Sequence, residues 1–139
     1  MAAEFFRDLL RRLPFENIPN TQRLFGDRSG RIPPLEAHVD RLIGEASTAE
    51  VYGKHELARQ ISIEAAVAAR AVYEGIPVQG NTAYDRLSRA RHAEAAVTRF
   101  IIGGAIEDAK LFGESVLLDP TLPAVTTSRI RQELEELGK

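Results

Sequence analysis

The 139-residue chain contains no cysteine and no tryptophan. Without cysteine there is no disulfide scaffold, no thiolate nucleophile and no thiolate metal site, so stability must come from a packed core. Net charge is almost absent too. Eighteen basic residues against 20 acidic ones leave −2 at neutral pH, so no global field draws the protein to a nucleic acid or an anionic membrane. No apolar run approaches the roughly 18 residues that a membrane span needs. Period-two alternation, the mark of a half-buried strand, is also missing. The stretch from Met1 to Phe15 is amphipathic and arginine-rich in the manner of a transit peptide. It nevertheless carries Glu4 and Asp8 and lacks the continuous apolar segment of a secretory signal. These absences predict a soluble, cytoplasmic protein without a membrane span.

What is present is helical periodicity. Apolar residues make up 44% of the chain and charged residues 27%, the mix of a folded globular domain. Phe5, Phe6, Leu9 and Leu10 recur at helical spacing over residues 2–12, and Pro14 ends that helix. Pro14, Pro19, Pro33 and Pro34, with Gly26 and Gly30 between them, mark an irregular linker. Residues 1–34 therefore read as an amphipathic helix on a linker arm, and residues 35–139 as the helical domain.

Within that domain Leu35, Val39, Leu42, Ile43, Ala46 and Ala49 form one helical face, and Gly53 turns the chain. The next helix, from about Lys54 to Glu74, gathers Leu57, Ala58, Ile61, Ala65, Ala68, Ala69 and Val72 on one face and stops at Gly75-Ile76-Pro77. Thr82, with Asp85 three residues on, is an N-cap signal. It opens a helix whose inward face reads Leu87, Ala90, Ala93, Val97, Phe100 and Ile101. Gly103-Gly104 interrupts the pattern, Ile106, Ala109, Phe112, Gly113, Val116 and Leu117 resume it, and Asp119-Pro120 closes it. Thr127 or Ser128 is the expected cap of a last helix carrying Ile130, Leu134 and Leu137. The expected fold is all-α: an antiparallel helical bundle or a short helical-hairpin array with an irregular N-terminal arm.

Two apolar residues sit on the wrong side of the third helix. Ile63 and Val67 lie opposite its alanine-rich face, among Arg59, Gln60, Arg70 and Glu74. Either that helix is central and buried on two sides, or the stripe meets a partner. The partner reading joins Ile63, Val67, Arg59 and Arg70 with Phe5, Phe6 and Leu9 of the first helix. It makes the chain a non-enzymatic protein-interaction module, an adaptor, scaffold or assembly subunit able to self-associate. A rival reading takes Arg86, Arg89, Arg91 and His92, with Arg99, as a basic face for nucleic acid. Glu94 falls between Leu87, Val97 and Ile101, where a carboxylate needs a partner; Arg91 is one turn back. No catalytic, cofactor or metal motif emerges. His38, His55 and His92 lie in separate segments, and His55-Glu56 begins a zinc-protease pattern that Arg59 breaks.

The stretch Gly104-Ala-Ile-Glu-Asp-Ala-Lys-Leu-Phe-Gly-Glu-Ser-Val-Leu-Leu-Asp-Pro resembles the second half of a tetratricopeptide repeat, as does the stretch from Val51 through Gly53 to Ala66. The resemblance implies stacked helical hairpins that bind other proteins. The two glycines are 51 residues apart, against a repeat period of about 34. Tyr52-Gly-Lys-His-Glu-Leu-Ala and Glu64-Ala-Ala-Val-Ala-Ala-Arg-Ala-Val resemble the central hairpin of the nucleotide-binding and nuclease bundle called HEPN. That likeness implies a nuclease pair at Arg86 and His92. Their spacing on one straight helix, however, sets the side chains about 120° apart.

Overall fold

The computed structural model describes residues 33–77 and 82–138. The expected first helix and most of the linker arm, including Phe5, Phe6 and Leu9, lie outside the described residues. The periodicity becomes five α-helices: α1 (Pro33–Val51), α2 (His55–Gly75), α3 (Ala83–Ile102), α4 (Ile106–Leu117) and α5 (Ala124–Leu137). There is no strand among the described residues, and no helix there is long and apolar enough to cross a membrane. The fold is all-α.

Local chemistry sets the boundaries. Gly53 (φ 75°) and Gly104 (φ 84°) occupy the left-handed region and turn α1 back on α2 and α3 back on α4. Ile76 precedes Pro77 and is forced out of the helical region, to φ −87° and ψ 118°, which ends α2 and drops the Ile76 side chain into the core. Thr82 caps α3 in a complete box: its hydroxyl accepts from the Asp85 amide at 3.1 Å, and the Asp85 carboxylate accepts from the Thr82 amide at 3.2 Å. The last helix starts earlier than expected. It begins at Ala124, directly after Pro123, and Thr127 lies inside it with its hydroxyl donating to the Ala124 carbonyl. A proline's fixed φ at the helix entrance supplied the start that a hydroxyl cap was expected to give.

Helix α2 is the centre. α1 packs on one side of it and α3 on the other, while α4 and α5 pack on α3 and on each other. Ala65, Ala66, Val67, Ala68 and Ala69 follow one another in sequence and are all buried. Each residue turns a helix by about 100°, so five in a row cover the full circle and α2 has no solvent side at this level. Alanine suits the position because a methyl group lets two neighbours approach at once. Phe100, Phe112 and Tyr73 fill the remaining space, with ring centroids of Phe100 and Phe112 6.4 Å apart and of Tyr73 and Phe112 5.7 Å apart, both edge-to-face.

This burial corrects the reading of Val67 and Ile63 as a partner-facing stripe. Val67 is 2% exposed. Ile63 is half-buried and rests on the backbone of Gly103, where a Cβ would collide with its Cγ1. The stripe faces α3, and the central-helix alternative holds. Two residues that the helical wheels placed inward, Leu57 of α2 and Leu87 of α3, are exposed.

Candidate protein-interaction groove

Helix α3 has an inner face, Ala90, Ala93, Ala96, Val97 and Phe100, and an outer one. Along the outer face Leu87, Arg91, Glu94, Ala95, Thr98 and Arg99 line a groove of about 560 Å³. Their spacing of three, four or one is one side of a helix. Ile43 of α1 makes one wall, and Val125 and Arg129 of α5 make the other. Leu87 and Val125 are 66% and 57% exposed, so two large apolar side chains line a concave surface with nothing over them among the described residues.

Polar links tie walls to floor. Arg91 pairs with Asp40 of α1 at 2.9 Å. Arg129 of α5 pairs with Glu94 at 3.4 Å, and the Thr98 hydroxyl donates to Glu133 of α5 at 2.9 Å. Glu94 thus finds its counter-ion on α5, and Arg91, the partner one turn back, is engaged with α1. Arg99 is the exception. It is half-buried and has neither hydrogen-bond nor ion-pair partner for its guanidinium among the described residues. Burial lowers its pKa, although a guanidinium stays charged at neutral pH.

Arg99 also lines a second cavity, of about 660 Å³, at the end of the bundle where α1 stops, α2 starts and α3 stops. Ser62, Arg59, His55, Glu50 and Ile102 share it. His55 donates to Glu50 at 2.7 Å and Arg59 to Glu56 at 3.2 Å. Ser62 is 1% exposed at the wall of this cavity.

The basic face expected for nucleic acid is not assembled. His92 is buried at 2% exposure, and its Nδ1–H donates to the Ser88 carbonyl one turn back at 2.7 Å. Burial lowers its pKa and favours the neutral ring. Arg89 points inward instead of out: its guanidinium lies 2.5 Å from Asp119 and over the Tyr73 ring at 4.3 Å from the centroid. Arg86 is exposed while His92 is not, so the pair implied by the nuclease likeness does not meet at one surface. Of the expected partner contacts on α2, Arg70 is exposed but engaged, paired with Glu74 at 2.8 Å and stacked over Phe112. Among the described residues no group of three histidine, aspartate or glutamate side chains is placed to hold a metal.

The strongest polar cluster was not anticipated. Asp119, in the loop between α4 and α5, accepts from Tyr73 of α2 at 2.6 Å, from Arg89 of α3, and from the Thr121 hydroxyl and amide at 2.6 and 2.9 Å. Burial alone would raise its carboxyl, but the bonds from Thr121, Tyr73 and Arg89 outweigh it and hold the group well below the usual carboxylate range. The Tyr73 hydroxyl is pushed up to about 12, first by burial and then by its bond to Asp119. One signal was available: Arg89 falls four residues before Ala93 on the inward stripe, a charge in an apolar row that demands a counter-ion.

No protein-family model matches this chain, and neither the curated proteins nor the solved structures include one significantly similar to it.

Proposed function

We propose that this chain is a non-enzymatic protein-interaction module of the cytoplasm, an adaptor, scaffold or assembly subunit, and that the groove along α3 is its binding face. The partner is another protein or a second copy of the chain. The observation that carries the reading is the exposure of Leu87 on the α3 floor and Val125 on the α5 wall of one groove. Large apolar side chains on a concave surface gain free energy when covered, by about 25 cal/mol per Å² removed from water. The layout supports it as well. Residues of α1, α3 and α5 line the groove together, an arrangement suited to receiving an amphipathic helix or strand.

Replacing both residues by glutamate (Leu87→Glu with Val125→Glu) tests the proposal. Because both side chains are exposed, the melting temperature should stay near that of the wild type. Self-association by light scattering, or capture of specific partners from the native host, should be lost. An unchanged assembly state together with an unchanged set of captured proteins would remove the groove from consideration.

A further inference from the structure

The groove ends on a positive charge, Arg99, that no ion pair among the described residues neutralises. Its walls are stitched by complete pairs, Arg91 with Asp40 and Arg129 with Glu94, whereas Arg99 meets no carboxylate among the described residues. Arg99 also lines the cavity beside the groove. Ser62 is almost fully buried there, so a polar hydroxyl lines the same site as Arg99. A half-buried cation without a counter-ion is unfavourable, and one bound anion relieves it, with the Ser62 hydroxyl in the same cavity as a further donor. A single carboxylate fits the charge better than a dianionic phosphate, because Glu50 lines the same cavity and would repel the second charge.

We propose that the partner is an acidic amphipathic peptide segment, whose apolar side chains cover Leu87 and Val125 and whose aspartate or glutamate enters the adjoining cavity to meet Arg99 and Ser62. This rests on the groove being a protein-binding face. The charge also argues against occupation by residues 2–12 of this chain, in which Arg7, Arg11 and Arg12 outnumber Glu4 and Asp8. Arg99 gives a planar, bidentate match for the carboxylate, and Ile102 at the cavity edge receives the methylene groups behind it.

The test pans random peptides displayed on phage against the full chain and measures synthetic copies of the enriched peptides by titration. Enriched peptides should carry aspartate or glutamate near leucine or phenylalanine. Arg99→Gln should weaken them by at least about tenfold, as loss of a partly desolvated charge pair does. Changing the peptide's acid to its amide should cost as much, and the two changes together little more. The amide peptide on the unmodified protein decides the matter even where Arg99→Gln fails to fold. Enriched peptides that lack acids, or are basic, and whose binding is nonetheless lost with Leu87→Glu overturn this inference and leave the groove reading standing. Peptides indifferent to Leu87→Glu and Val125→Glu, or no enrichment at all, overturn both.

Discussion

Helices meet in two contrasting ways in this molecule. The alanine seam around α2 is made largely of methyl groups, Ala65, Ala66, Ala68 and Ala69 on that helix and Ala90, Ala93 and Ala96 on α3, with Ile63 seated on Gly103. At the corner where α2, α3 and the α4–α5 loop meet, a carboxylate is instead shared by a phenol, a guanidinium and a threonine. The seam is held by close packing and dispersion, is indifferent to pH, and has no tolerance for volume. The corner is held by charge and geometry and depends on Asp119 staying ionised. A small chain without disulfides thus anchors its loop by hydrogen bonds where apolar material runs short.

The contrast is sharpest in variants. Phe100→Ala, at the end of the seam and fully buried, should cost about 3–5 kcal/mol in urea unfolding while leaving the pH profile of stability parallel to the wild type. Asp119→Asn should cost about 3 kcal/mol near neutral pH, the scale for breaking a buried ion pair, the two side chains here being 10% exposed. The sign of its pH effect follows from the depressed carboxyl. The stabilisation is complete above the unfolded pKa and is lost as pH falls through the lower folded value. Wild-type melting should therefore decline below about pH 4, and Asp119→Asn should flatten that decline. Equal acid slopes in the two proteins would make the corner ordinary packing. The smallest effect belongs to the exposed pair of Arg91 and Asp40, where Arg91→Ala should change stability by less than about 1 kcal/mol.

Local signals in the sequence were legible. Gly53 and Gly104 turn the chain, Thr82 and Asp85 form their box, and Pro77 ends α2, because each acts through its immediate neighbours. The helical wheels gave phase but not depth. They put Leu87 in line with Ala90 and Val97, yet no helix among the described residues reaches the outer edge of α3 to cover it. They also left Val67 undecided, since burial on two sides is a property of α1 and α3 arriving together. The groove was not foreseen because its walls come from α1 and α5, far apart in the chain, and the bond from Tyr73 to Asp119 spans 46 residues. The glycine turns at Gly53 and Gly104 were legible, although not which surface the two hairpins would expose.

The Tyr73 hydroxyl gives the molecule an optical signature. With no tryptophan, its intrinsic ultraviolet signal comes from three tyrosines. Tyr52 and Tyr84 are 75% and 51% exposed, whereas Tyr73 is 8% exposed and tied to a carboxylate. Alkaline titration therefore separates two surface phenols from one that yields its proton only near pH 12 or on unfolding. A hydrogen bond to a carboxylate quenches a phenol, so emission from Tyr73 should brighten when that corner opens. The loop that closes the bundle can thus be watched by its own light, with no label attached.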